Sequence, residues 1–299
     1  MKILSFDCHE ALLCAWAKLG FQIDLLPYIK EWKWNEKKRP LPENVRLLPD
    51  AVITPEDYQF AVAFNEHKQA PIVRELGIPY MISLASSHRV MNMKKLQTEP
   101  VAFCAYSQKE ALGFGGTEAP VMHYPIDLDE FRGYTGDGDG ILSTINYFRQ
   151  ECNRVVRGYD WAMQITKGLP YFNVGWELEG DFIAAYDFEA LKGNYRNRAV
   201  YLDPCTASPM SMSCLEAMAT GMPFVTRPHD DWPFLIEHGI NGVMSNDDGT
   251  TRQWLESLLE DGKTRAALGR NAREMIREKF SVEAWKKDWM IFFAKWNLI

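Results

Sequence analysis

The segment Ser208-Pro-Met-Ser-Met-Ser-Cys-Leu-Glu216-Ala-Met-Ala-Thr-Gly221-Met-Pro-Phe-Val-Thr226 constrains the fold more than any other part of this chain. It reads as a loop, a short helix carrying one carboxylate, a glycine stop and a buried strand. Ser211 or Ser213 can cap the helix, which leaves its first backbone N–H groups for an anion. Glu216 stands about one turn in, where a carboxylate can bond a sugar hydroxyl. Gly221 ends the helix, and Pro223–Thr226 begins the strand. Such a unit can hold a phosphorylated sugar compound at the end of a parallel sheet. Any βα unit with an apolar helix would show the same local pattern.

The rest of the chain alternates strand-like and helix-like runs, which predicts an α/β architecture. Strands are expected at Lys2–Phe6, Gln22–Leu26, Phe60–Phe64, Tyr80–Leu84 and Ala102–Tyr106, with helices over His9–Leu19 and Glu66–Leu76 stopped by Gly20 and Gly77. Gly133–Gly140 is glycine-rich and acidic, hence a loop or linker. A second strand series follows at Ile141–Tyr147, Tyr171–Val174, Ala199–Leu202 and Pro223–Thr226. The C-terminal part reads as three helices: about Arg252–Leu259 capped by Asp248 or Thr250, Lys263–Lys279, and a last one capped by Ser281. Trp285, Trp289, Phe292, Phe293 and Trp296 give that last helix an aromatic face suited to packing on the body of the protein.

At 299 residues and 46% hydrophobic content, the chain has material for two cores. A net charge of −7 argues against a generally basic nucleic-acid binder, though not against a local basic groove. The six cysteines form no CxxC pair and suggest neither a metal site nor a disulfide framework. Asp7, His9 and Glu10 interrupt the first apolar run, so no signal peptide is expected. No apolar run reaches the roughly 18 residues that cross a bilayer. A soluble, cytoplasmic protein without a transmembrane segment is the expectation.

Two α/β domains with a helix-borne glutamate in the second resemble the GT-B glycosyltransferases, and within them the retaining, family-4-like group. That group carries a Glu, seven residues and a second Glu, then Ala-Met-Ala, Gly and a strand. Glu216-Ala-Met-Ala-Thr-Gly221-Met-Pro-Phe-Val-Thr matches the second half. Leu235-Ile-Glu237-His-Gly239-Ile-Asn-Gly242-Val and Pro125-Ile-Asp127-Leu-Asp-Glu-Phe131 resemble two further segments in the right order. The likeness runs over about residues 120–280. It departs at Ser208, which stands where the group has its first glutamate, the one that contacts the donor sugar. The glycine-rich loop expected after the first strand is replaced by Asp7-Cys8-His9-Glu10.

The resemblance implies two Rossmann-like domains facing across a cleft. The first, residues 1–125, takes the acceptor, with the helix at 281–299 packing back on it; the second, 126–280, binds the nucleotide sugar. It implies transfer of a sugar from a nucleoside diphosphate sugar, such as a UDP-sugar, to a hydroxyl, retaining and with no metal or other cofactor. Arg157-Gly158 takes the place of the group's Lys-Gly, and Arg149 or Arg154 is the second cation for the diphosphate. Glu216 would bond the ribose, Ser208 the sugar, and Ser211, Met212 and Ser213 would offer backbone N–H groups. On the acceptor side, His88 resembles a family histidine. Asp7 and His9 follow the first strand at its carboxyl end, where open α/β sheets bind ligands; His67 is a weaker candidate.

The acceptor stays open: a glycan, a lipid-linked compound, a small molecule or modified DNA. Trp32 and Trp34 among Lys30, Lys33, Lys37, Lys38 and Arg39 would suit a phage-type enzyme glycosylating hydroxymethylated bases. A non-catalytic nucleotide-sugar binding module is the other alternative, motivated by Ser208. An NAD-dependent oxidoreductase is disfavoured, because no Gly-x-Gly-x-x-Gly follows a strand.

Overall fold

The β-branched and aromatic runs become buried parallel strands, and the amphipathic stretches between them become covering helices. The computed structural model describes residues 1–27, 34–48, 52–84, 96–175 and 187–299. The chain divides into two compact units, Met1–Pro125 with Val282–Ile299, and Ile126–Ser281.

In the first unit β1 (Lys2–Asp7), β2 (Gln22–Pro27), β3 (Val45–Leu47), β4 (Phe60–Ala63), β5 (Tyr80–Leu84) and β6 (Val101–Phe103) form one sheet in the order 3-2-1-4-5-6. All its pairings are parallel, with Lys2 opposite Gln22 and Ile3 opposite Phe60. Helices α1 (Glu10–Ala17) and α2 (Gln69–Leu76) belong to the crossovers, and α3 (Tyr106–Ala111) follows β6. Helix α1 starts one residue later than expected because His9 is its N-cap, the imidazole Nδ1 accepting from Leu12 N–H at 3.3 Å.

The second unit contains β7 (Ile141–Ser143), α4 (Glu151–Arg154), α5 (Tyr159–Ile165), β8 (Tyr171–Asn173), α6 (Phe188–Asn197), β9 (Val200–Asp203), α7 (Met212–Thr220), β10 (Phe224–Thr226), α8 (Trp232–Leu235), β11 (Val243–Met244), α9 (Asp248–Glu260) and α10 (Gly262–Lys279). Its parallel sheet runs 11-10-9-7-8. Ile141, Val200, Leu202, Val225 and Leu255 fill its core without exposure. The strand order reverses between β7 and β9, and loops leaving the carboxyl ends of strands at such a reversal form the ligand crevice of doubly wound sheets.

Several local expectations change. Helix α9 is capped by Asp247, whose side chain accepts from Thr250 N–H, and not by Asp248 or Thr250. Of the two expectations for Gly133–Gly140, the loop holds and the linker does not. Tyr134 N–H reaches Thr220 O at 3.3 Å, its hydroxyl reaches Ala199 O at 2.6 Å, and Arg265 donates to Gly136 O, so the loop is tied to the second unit. The last helix, α11 (Val282–Lys295), belongs to the first unit. Trp289 lies 4.6 Å from Trp16 between ring centroids, and Phe293 lies 4.9 Å from Phe60. Trp285, Phe292 and Phe293 are buried with them, while Trp296 keeps 39% exposure and lies at the edge of that cluster, 6.4 Å from Phe292.

Candidate functional site

The two loops at the β7/β9 reversal meet through Arg157 and Ser208. Gly158 makes this possible. It has φ 69, and a Cβ there would lie 1.9 Å from Pro204 O, so only glycine lets the loop after β7 run this close to the end of β9. Arg157 is thereby carried to Ser208, and its guanidinium donates to the Ser208 hydroxyl at 2.9 Å.

The helix that the sequence singles out begins beside this pair. Gly221 stops α7 in the left-handed region with φ 100. Ser211 occupies the N-cap position but makes no side-chain cap bond; its hydroxyl lies 3.0 Å from that of Ser213 instead. Ser213 is inside the helix, accepts from the Tyr201 hydroxyl at 3.2 Å and so does not cap it. The capping expectation therefore fails for both serines. The consequence favours a ligand: the N–H groups of Met212 and its neighbours in the first turn cannot be satisfied within the helix, and they carry its positive end. Glu216 is not on the surface. It is 2% exposed, and the Tyr195 hydroxyl donates to its Oε2 at 3.1 Å.

The arginines separate. Arg154 is exposed, makes a two-pronged ion pair with Asp160 and lies 4.8 Å over the Tyr159 ring. Arg149 is half-buried between β7 and α4. Of the three, the structure brings Arg157 to Ser208.

Sequence reasoning missed a buried polar network on the other side of Ser208. Asp203 ends β9, and His229 and Asp230 follow β10. His229 Nε2 lies 3.1 Å from Asp203 Oδ2, and its Nδ1 lies 3.0 Å from Asp230 Oδ2. That same Asp230 oxygen accepts from Ser208 N–H, and Trp232 Nε1 donates to Asp203 Oδ2 at 3.2 Å. Burial opposes charge on His229, but the bonds and charges of the two aspartates outweigh it and raise its pKa to about 9. Burial likewise opposes ionisation of Asp203, yet the His229 bond, its charge and Cys205 hold it down at about 2. The imidazolium therefore carries both ring protons at neutral pH. The available signal was an acid at one strand end and a Pro-His-Asp-Asp run after the next.

In the first unit the order 3-2-1-4-5-6 reverses between β1 and β4. Asp7 closes β1 with 5% exposure. Burial first, then the Glu10 charge, push it up to about 6, against the Trp34 backbone N–H and Lys38. Its Oδ1 is buried with no hydrogen-bond partner among the described residues. Asp24 shows the contrast. It is equally buried, but bonds from Arg46, Lys2 and Tyr58 outweigh the burial and lower its pKa. His9 is exposed, and its capping bond leaves Nδ1 without a proton. His67 is also exposed, whereas His88 lies outside the described residues.

Of the aromatic and basic run, Lys30, Trp32 and Lys33 lie outside the described residues. Trp34 is 9% exposed and spends its indole N–H on Arg39 O at 2.9 Å, so it offers no stacking face. Lys38 pairs with Glu10 at 3.5 Å. A groove of about 860 Å³ in the first unit, lined by Phe114, Val121, Ile291 and Trp296 among others, contains none of the site residues above. Among the described residues no group of His, Cys, Asp and Glu is placed to hold a metal ion, and no helix is long and apolar enough to cross a membrane.

Comparison with known proteins shows what this βα unit is similar to. Residues 181–275 match the family model described as glycosyl transferases group 1. Over those residues the chain is similar to the group 1 glycosyltransferases. The group 1 match takes in β9, α7, β10 and most of α10. An uncharacterised glycosyltransferase of Methanocaldococcus jannaschii is 27% identical over 139 residues, covering 45% of this chain and 34% of the relative. The chain thus spans about a third of the length of the curated relative it matches. Among solved structures, a sucrose-phosphate synthase from Thermosynechococcus elongatus superposes with TM-score 0.72 at 14% identity, over 99% of this chain and 98% of that one. Anabaena HepE in complex with UDP-glucose gives 0.71 at 16% identity, over 99% and 100%. These likenesses establish the fold, two Rossmann-like α/β sets of the GT-B glycosyltransferases.

Proposed function

We propose that the chain transfers a sugar from a nucleoside diphosphate sugar to a hydroxyl acceptor, with retention and without a metal ion. One observation carries this reading. The Arg157 guanidinium and the unsatisfied N-terminus of α7 converge on the carboxyl-end crevice of a sheet whose fold relative HepE has been solved with UDP-glucose.

In this reading the departing diphosphate lies against Arg157 and the first N–H groups of α7. Fixed positive groups there stabilise charge that grows as the glycosidic bond breaks. Arg149 stands in the same loop as a second cation. Glu216, oriented by the Tyr195 hydroxyl, accepts bonds from the ribose hydroxyls, and Ser208 faces the sugar. Asp7, held partly protonated near neutral pH by its burial, and exposed His9 stand at the reversal of the first sheet for the acceptor hydroxyl. The five cysteines whose side chains are described form no disulfide, which suits a reducing cytoplasm.

Calorimetric titration of the purified chain with UDP-sugars, GDP-sugars and ADP-sugars tests the reading. At least one should bind and be slowly hydrolysed or transferred without added metal. Arg157→Ala and Glu216→Ala should each weaken that donor at least tenfold with the fold intact. Unchanged affinity in both variants sinks the site, and binding without any turnover selects the non-catalytic module.

A further inference from the structure

The loop after β10 holds one side chain that this reading leaves unused. Asp230 has φ 45, in the left-handed region that non-glycine residues enter at a cost of about 1 kcal/mol or more. Met210, on the other side of Ser208, has φ 47. Two strained residues around one serine indicate a loop pair shaped for something other than stability.

The bonds that hold Asp230 in place also define what it can do. Its Oδ2 takes His229 Nδ1 at 3.0 Å and the Ser208 N–H, while His229 is anchored to Asp203 on β9. Its Oδ1 has no protein partner among the described residues, and the side chain keeps 16% of its surface exposed. The remaining oxygen therefore belongs to a carboxylate held against the Ser208 backbone N–H, and the hydroxyl of the same serine is bonded to Arg157.

A carboxylate oxygen only accepts, so its ligand must donate hydrogen bonds. A metal or ammonium ion would meet Arg157 and the His229 imidazolium in the same small region, which disfavours a cation. Neutral hydroxyl groups meet no such opposition. The imidazolium also offsets the Asp230 charge, so that a diphosphate nearby is not repelled.

We propose that Asp230 binds the sugar moiety of the donor, its Oδ1 accepting from ring hydroxyls, and that His229 is the positioning residue holding it there. The proposal rests on the nucleotide-sugar reading above and names the part of the donor that this loop contacts. The groups facing His229 are Asp203 from β9 and Asp230 from its own loop, with Arg157 reaching the network through Ser208. Cys205 and Cys214 stand near Asp203, and burial keeps both as thiols.

The test compares a sugar nucleotide with its parent diphosphate, using UDP-glucose with UDP, GDP-mannose with GDP and ADP-glucose with ADP. Asp230→Gly keeps the left-handed backbone and removes the carboxylate. Asp230→Asn keeps an oxygen for Ser208 N–H. In the pair that wild type binds, Asp230→Gly should weaken the sugar nucleotide tenfold or more and the free diphosphate less than twofold, with Asp230→Asn between. Wild-type affinity for the sugar nucleotide should fall between pH 8 and 10 while that for the diphosphate does not, and His229→Asn should abolish that slope. Equal weakening of both ligands assigns Asp230 a structural role and overturns the proposal, as does no change in either. If wild type binds neither member of any pair, the nucleotide-sugar reading itself fails and takes this one with it.

Discussion

His229, in the loop after β10, meets Asp203 at the end of the neighbouring parallel strand β9, with Nε2 3.1 Å from Oδ2 and the side chains 3% and 2% exposed. This contact makes the second unit sensitive to pH from both sides. His229 has a folded pKa of about 9 against 6.5 for the free side chain. Its contribution is complete below about pH 6.5 and is lost as pH rises through 9. A shift of this size corresponds to about 3 kcal/mol at most. Asp203 runs the other way: its folded value of about 2 lies below 3.8, so its contribution is present above 3.8 and lost as pH falls through 2. Urea midpoints of wild type should decline between pH 6.5 and 9, and His229→Asn should show a lower midpoint at pH 6.5 with a flatter decline. Parallel curves would mean the ring is not charged in the folded protein.

Asp7 gives a prediction of opposite sign. Its folded pKa is raised to about 6, so the ionised form costs stability above pH 6, and the cost disappears below about 4, where the carboxyl is protonated in both states. Asp7→Asn should therefore stabilise the chain by about 1–3 kcal/mol at pH 8 and by almost nothing at pH 3, well below the ordinary carboxylate pKa. If Asp7 serves the acceptor hydroxyl, the same variant transfers sugar more slowly while its melting temperature rises. A variant less stable than wild type at pH 8 would show that the buried carboxylate is satisfied after all.

Much of the fold was legible because its signals are local. Gly221 stops α7 with φ 100, and the apolar runs expected as strands at Phe60–Phe64 and Ala199–Leu202 are buried strands over Phe60–Ala63 and Val200–Asp203. Strand β11 spans two residues and β3 three, too short for a period to register. The serine caps misled because a hydroxyl at the N-cap position can choose another partner, and Ser211 pairs with Ser213. The site was half legible. Glu216 and Ser208 sit on one recognisable segment and the resemblance pointed to Arg157, but the pairing of Arg157 with Ser208 spans 51 residues and that of His229 with Asp203 spans 26. Only the sheet order joins them, and no spacing in the sequence encodes that order.

The aromatic face of α11 offers a separate test in the first unit. Trp289 is 1% exposed and contacts Trp16, Trp285, Phe292 and Phe293, with the Phe293 ring stacked at 5.4 Å. Trp289→Ala should cost about 3–5 kcal/mol by leaving a cavity. The indole N–H has no hydrogen-bond partner among the described residues, and a buried donor of that kind carries a penalty of about 1–3 kcal/mol. Trp289→Phe should thus cost much less than its lost volume suggests, under about 2 kcal/mol in chemical denaturation. Equal losses in the two variants would show that the N–H is bonded.

Gly158 and Gly168 form a matched pair that isolates the contact on which Arg157 depends. Both have positive φ, 69 and 79, so alanine at either meets the same backbone strain of about 1–2 kcal/mol. They differ in surroundings. A Cβ on Gly168 meets nothing within 4 Å, whereas one on Gly158 falls 1.9 Å from Pro204 O. That oxygen cannot easily retreat, because Asp203 accepts from Cys205 N–H at 3.1 Å and Thr206 N–H bonds Val156 O at 2.9 Å. The loop bearing Arg157 must move instead, away from Ser208. Gly158→Ala should therefore be less stable than Gly168→Ala and should lose at least tenfold in affinity for the diphosphate that wild type binds, while Gly168→Ala keeps that affinity. Retained binding in Gly158→Ala would show that the crevice tolerates displacement of Arg157, and the guanidinium would then not be what holds the diphosphate.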